Sequence, residues 1–213
     1  PSLRVLVGDR DVGVARLRFT RWYKGAEPDG PCGAAVAADG SLLRARIDVA
    51  TGTLYAQRVA LPSSGSTYSA WTSLGMVLAA PRLGLHAAGT RALIATVRAG
   101  GTQVEVRESA DSGATYGAAS IVATAVGTVT AVACAVRSDG SPAIVWATGG
   151  VVYASRRTGL GAWSAPAAWS NSLASVNAIA MSDASDYAVL VSGVTSTGLA
   201  GAWTTRLGSG QSG

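Results

Sequence analysis

Residues 129–156 read VTAVACAVRSDGSPAIVWATGGVVYASR. Two turn signals, Asp139-Gly140 and Gly149-Gly150, cut this stretch into three short runs, Val129 to Val136, Ala143 to Ala147 and Val151 to Arg156. Asp-Gly and Gly-Gly pairs between apolar runs mark β-hairpins, because their residues reach positive φ at little cost. A fourth piece around Ala162 to Trp169 follows the turn Gly159-Leu160-Gly161, which completes a four-stranded antiparallel unit.

The unit recurs along the chain. Gly52, Gly101, Gly150 and Gly198 are separated by 49, 49 and 48 residues, and each opens a strand-like run. Earlier turns recur at Asp39-Gly40-Ser41, Ala88-Gly89-Thr90, Asp139-Gly140-Ser141 and Ala184-Ser185-Asp186. Two turns per repeat mean a repeated hairpin, and four strands per 40 to 50 residues predict the blade of a β-propeller. The fold class is therefore all-β, with about four recognisable four-stranded antiparallel blades spanning residues 33–207. Small residues dominate the expected first strands (Ala34, Ala35, Gly84, Ala131, Ala133, Cys134, Ala178), as crowding about a central axis requires. Trp71, Trp163 and Trp169 fall near the fourth strands, where blades spread apart.

The fourth unit stops early: Leu199 to Thr205 is followed only by a Gly/Ser tail over 208–213, a linker composition. At the other end, residues 1–27 carry strand-like runs at Leu3 to Val7 and Val14 to Trp22. They are expected to supply the missing strand and close the ring, or else to connect four units into a larger ring.

Composition agrees with this class. The chain has 213 residues, 48% hydrophobic and 14% charged, with 27 glycines. That length can bury a sizeable core without disulfides or metal, and it excludes disorder and a cysteine-stapled scaffold. Its net charge of +5 is nearly all arginine, Lys24 being the one lysine. Arginines spread along the chain fit codon bias better than a nucleic-acid face or a partner interface. No signal peptide is visible in residues 1–24, and Pro1 is not an initiator methionine, so processing or a longer polypeptide is expected. Gly117 to Val136 holds twenty uncharged residues, but Gly127 splits it into strand-turn-strand, so no membrane insertion is expected. Cys32 and Cys134 read as free thiols, the second buried.

Two resemblances follow from particular motifs. Ser109-Ala110-Asp111-Ser112-Gly113-Ala114-Thr115-Tyr116 resembles the Asp-box of sialidase-like propellers, with Tyr in the Trp position. The resemblance implies a structural turn of Ser109, Asp111, Gly113, Thr115 and Tyr116, in which side-chain oxygens bind the turn's own backbone and the ring packs between sheets. A degraded copy lies at Ser63 to Tyr68. Asp39 to Leu42, Thr51 to Tyr55 and Ala70 to Gly75 resemble the repeat of tectonin and fucose-binding lectin propellers, a kind also found in bacteriophage tail and fibre proteins. That resemblance implies an adhesion or scaffold module.

Chemistry is sparsely supplied. The sialidase resemblance would require an arginine triad, a tyrosine nucleophile with glutamate, and an aspartate acid/base; the early Arg-Ile-Pro motif is missing. The glutamates are Glu27, Glu105 and Glu108, and glycoside hydrolysis needs two carboxyl groups facing one sugar. His86, the one histidine, is read as a strand-turn cap rather than a triad member. Two distant cysteines and one histidine make no zinc site. Asp183 and Asp186 could supply oxygen ligands to calcium, but a polar turn is preferred. No phosphate-binding loop occurs. No cofactor, metal or catalytic residue is assigned.

Binding residues are more plentiful. Arg58, Arg107 and Arg156 each lie six positions after a turn glycine and are expected to form a partial ring for carboxylates or phosphates. Tyr55, Tyr153, Trp146 and Trp203 offer aromatic surface for a sugar. The expectation is a non-enzymatic binding or adhesion module, glycan-binding or structural, in a cell-surface or phage tail assembly; the alternative is a sialidase-like glycoside hydrolase. A glycan or partner protein, not nucleic acid, is the expected partner, within a larger polypeptide or oligomer, extracellular, at the cell surface or in a virion.

Overall fold

The structure, a computed structural model, describes residues 31–60, 67–77, 82–98, 100–137, 139–157, 161–170, 173–182 and 187–207. The expected strands in 1–27, the tail over 208–213, the turn at 183–186 and the degraded copy over 63–66 lie outside them.

The described residues contain sixteen strands in four antiparallel sheets and no helix. The first sheet holds β1 (Cys32–Val36), β2 (Leu42–Asp48), β3 (Thr53–Ala60), β4 (Thr67–Tyr68) and β5 (Thr72–Met76). The second runs β6 (Leu83–Ala88), β7 (Arg91–Arg98), β8 (Gln103–Ser109), β9 (Ser120–Thr124). The third runs β10 (Val129–Val136), β11 (Pro142–Thr148), β12 (Val151–Arg156), β13 (Ala167–Ser170). The fourth has three strands, β14 (Leu173–Met181), β15 (Ala188–Thr195) and β16 (Ala200–Arg206). Each sheet follows chain order from its first strand outward, as hairpins joined by short turns dictate.

The sheets stack face to face in sequence. One face of the first sheet (Leu43, Ala45, Ile47, Leu54, Ala56) meets Ala92 and Ile94 of the second. The opposite face of the second (Leu93, Ala95, Val97, Val104, Val106) meets Val132, Cys134, Ile144 and Trp146 of the third. The third then packs Val145, Ala147 and Val152 against Val176, Val189 and Val191 of the fourth. Middle strands are therefore apolar on both faces, whereas the first sheet alternates, with β2 buried only at every second residue. Each buried Val, Leu or Ile contributes about 1.5–3 kcal/mol relative to exposure.

Crowding of the innermost strands explains their small residues. A Cβ on Gly84 of β6 would sit 3.2 Å from the Ala133 Cα of β10, and one on Gly33 of β1 would sit 3.0 Å from the Leu85 Cβ of β6. Blade-like sheets stacked about their first strands are what the repeat predicted. Among the described residues, however, no hydrophobic core joins the fourth sheet to the first, and no closed ring is formed.

The repeat also differs in register from its sequence spacing. Gly52, Gly101 and Gly150 all have positive φ (67°, 86° and 81°) in the hairpin between second and third strands. The hairpins are not alike: Asp48 pairs with Thr53, Arg98 with Gln103, but Thr148 with Val151, and Gly101 stands one place earlier in its loop than Gly52. A slip of one residue turns every following side chain to the other face of a strand. The matching hydrogen bonds to the third strands show the result. Ser69 N–H donates to the Arg58 carbonyl (3.4 Å), Gly117 N–H to that of Glu108 (2.9 Å), and Ser164 N–H to that of Arg156 (2.9 Å). Arg58, Glu108 and Arg156 are the equivalent residues; Arg107 points to the opposite face, which corrects the expected ring of three arginines.

Candidate functional site

The site begins with a split edge. β4 pairs with β3 only at Val59 and Ala60, and β5 only from Thr53 to Ala56, so Gln57 and Arg58 lie in a gap between two short outer strands. Ser69 fills the gap: its Oγ donates to the Arg58 carbonyl (2.6 Å) and accepts the Arg58 N–H (3.2 Å), while Gln57 Nε2 donates to its carbonyl. From the neighbouring sheet, the turn after β8 brings Gly113 to Tyr116 opposite this gap. Between them lies a groove of about 520 Å³, lined by Gln57, Arg58, Ser73, Thr115 and Tyr116 among others. That volume falls within the range of about 300–1,000 Å³ usual for small-molecule sites.

The turn from the second sheet has the geometry its sequence predicts. Ser109 Oγ donates to Asp111 Oδ1 (2.7 Å) and accepts the Gly113 N–H (2.8 Å). Asp111 accepts from the Thr115 hydroxyl (2.6 Å) and the Thr115 N–H (2.9 Å). These bonds, Thr115's first, hold the Asp111 carboxyl down at about 2. The Tyr116 ring packs against the cores that join the first and second sheets, and burial pushes its phenol well above the usual range.

On the other side of the groove, Arg58 Nη2 donates to Asp39 Oδ2. Asp39 lies in the Asp39-Gly40-Ser41 turn, where the Ser41 N–H donates to its Oδ1 (2.9 Å). That N–H, and then Arg58, hold the Asp39 carboxyl below the usual carboxylate range. The third sheet repeats the turn, with the Ser141 N–H donating to Asp139 (2.8 Å). Behind the groove, Arg44 Nε donates to Gln57 Oε1 (3.0 Å).

The residues expected to bind ligand are not gathered at one place. Arg58 lines the groove. Tyr55 faces the other side of the first sheet, beneath Arg46 (5.4 Å from its ring centroid), which also lies 4.7 Å from the Trp71 ring. Arg107 reaches toward Gly75 of the first sheet. Arg156 repeats the Arg58 position, with its N–H bonded to Ser164 Oγ (3.1 Å). Trp146 is 1% exposed and stacks on Tyr153 with ring centroids 5.9 Å apart, inside the core between second and third sheets. Trp203 is 38% exposed on β16 of the fourth sheet.

The acids are likewise divided. Glu105 and Glu108 leave opposite faces of β8. Glu105 is fully buried beside Thr96 Oγ1 (3.3 Å) and Arg98 Nη1 (3.7 Å). Glu108 pairs with Arg157 of the third sheet and with Arg91 (3.9 Å). They cannot face one sugar together. His86 is no turn cap: it lies within β6, and its Nδ1 accepts the Val136 N–H (3.2 Å) across to the third sheet. Sequence reasoning missed Gln57, Ser73 and the Asp39 carboxylate. The sequence signals for them were the adjacent polar pair Gln57-Arg58 in the third strand and the Asp39-Gly40-Ser41 turn, neither of which says that the two meet.

The class this architecture defines is an all-β, propeller-like fold of successive antiparallel sheets. No family model matches the chain, and no curated protein is similar to it in sequence. Among solved structures it is similar to a luciferin-regenerating enzyme, at 11% identity and a TM-score of 0.50, over 84% of this chain and 61% of that one. The chain thus spans about three fifths of that protein's length. At this identity the likeness concerns the fold. The named neighbour is an enzyme, and to that extent the comparison runs against the expectation of a non-enzymatic binding or adhesion module.

Proposed function

We propose that this chain acts as a glycoside hydrolase on a propeller-like scaffold, with the groove between the first and second sheets as its substrate site. One observation carries the reading: two carboxylates, Asp39 and Asp111, are bonded to Arg58 and Thr115, which line the groove from the two sheets. Glycoside hydrolysis passes through a cationic, oxocarbenium-like transition state that ionised carboxylates stabilise. Both carboxylates are held in the ionised form by the bonds described above, so neither donates a proton to the leaving oxygen. Water adds at the anomeric carbon and passes its proton to Asp39, while the glycosidic C–O bond breaks with its electron pair going to an aryloxide that leaves as the anion. Arg58, Gln57, Ser73 and Thr115 would orient sugar hydroxyls. The likeness to an enzyme of similar fold supports catalysis over simple capture. The glycan expected as a ligand enters here as substrate.

The test is turnover. The purified chain is incubated with a panel of p-nitrophenyl glycosides, and release of p-nitrophenolate is followed against a heat-denatured control. The expected result is release from at least one member, reduced at least about tenfold by Asp39→Asn in a protein of unchanged circular dichroism; a tenfold loss corresponds to about 1.4 kcal/mol of transition-state stabilisation. Absence of release across the panel, or release indifferent to both Asp39→Asn and Arg58→Gln, refutes the reading.

A further inference from the structure

The groove's charge is arranged in a way that points to its ligand. Its lining cation among the described residues is Arg58, and that guanidinium is bonded to Asp39. Across the groove, Thr115 spends its hydroxyl on the ionised Asp111. Arg44, behind the wall, directs its Nε to the Gln57 amide oxygen. The rest of the polar lining is neutral: Gln57, Ser69, Thr72, Ser73, Thr115 and Tyr116. Ala56, Ala60, Leu74 and Ala114 complete it with small apolar surface. An anionic ligand would meet a compensated cation and two nearby carboxylates, which disfavour a third negative charge. A neutral sugar would meet hydroxyl and amide partners for its hydroxyls and an apolar surface for its C–H face.

We propose that this groove selects neutral, polyhydroxylated sugars over sugars that carry a carboxylate, with Asp39 as the residue that sets the preference. The inference rests on the groove being the substrate site proposed above. Asp39 acts by occupying Arg58. It is a specificity-determining residue, and it shapes the choice of substrate even where it takes no proton.

Matched pairs isolate the effect: p-nitrophenyl glucoside against glucuronide, and galactoside against galacturonide, which differ only in a carboxylate at C6. Binding to the full chain is measured by calorimetry. The neutral member is expected to bind at least about tenfold more tightly. Asp39→Asn keeps an acceptor for the Ser41 N–H but frees Arg58, so it should raise uronide affinity and shrink the preference at least about threefold. Arg58→Gln should not raise uronide affinity. A wild-type chain that binds the uronide as tightly as its neutral partner overturns the inference, as does an Asp39→Asn chain with an unchanged ratio and unchanged circular dichroism. Binding of the neutral sugar without release of p-nitrophenolate sinks only the hydrolase reading. Failure of every pair to bind sinks both.

Discussion

Glu108 stands in the second sheet where Arg58 stands in the first: each offers its carbonyl to the next loop, Glu108 to the Gly117 N–H and Arg58 to that of Ser69. The charge reversal at one repeated position changes what each sheet does. Arg58 stays with Asp39 of its own sheet and faces the groove. Glu108 reaches Arg157 of the third sheet and ties two sheets together.

Removing Glu108 should therefore weaken the junction of second and third sheets. Arg157, only 11% exposed at its side chain, would lose its carboxylate partner. Glu108→Ala is expected to cost about 1–3 kcal/mol in urea unfolding, more than Arg107→Ala. Equal costs for the two variants would contradict the assigned equivalence.

Asp111 holds its turn through bonds to Thr115 and Ser109. Asp111→Ala should lower stability by about 1–2 kcal/mol at pH 7, at the lower end because the group is solvent-screened. Its folded pKa is depressed from 3.8 to about 2, so the stabilisation is present above about pH 4 and fades as pH falls toward 2. Chemical unfolding of both proteins at pH 7 and near pH 2.5 should show the difference shrinking. A constant difference would place the effect elsewhere.

Gly113 has φ of +77°, and a Cβ there would fall 2.5 Å from Leu43 Cδ2 of the first sheet. Gly113→Ala is expected to destabilise by about 1–3 kcal/mol, through both left-handed strain and the clash. Gly40→Ala serves as a comparison, since its φ is +79° but no atom lies within 4 Å of its added Cβ. A smaller loss there would separate strain from contact by thermal denaturation.

Burial pushes the Cys134 thiol up to about 12, and its Sγ faces the Leu93 carbonyl at 3.5 Å. Thiolate is the reactive form, so native protein at pH 8 should react with Ellman's reagent at Cys32, which is exposed. Cys134 should react only on unfolding in urea. Two rapid equivalents from native protein would contradict the burial.

Much of this architecture was legible because it rests on local chemistry. Asp139-Gly140 and Gly149-Gly150 demand turns wherever they occur, and the runs between them became β10, β11 and β12, with the bounds of β10 and β12 as expected. Ser109, Asp111 and Thr115 bind within their own turn, so their arrangement follows from spacing alone. Which face a strand shows its neighbour is not local. A single extra place between Gly101 and β8 moved Arg107 away from its apparent counterparts and put Glu108 beside Arg58 and Arg156, because side chains alternate with a period of two. The groove likewise needed the tertiary structure. Gln57 and Ser73 come from one sheet and Thr115 and Tyr116 from the next, and only the packing of those two sheets through Leu43, Ile94 and Tyr116 sets them facing each other.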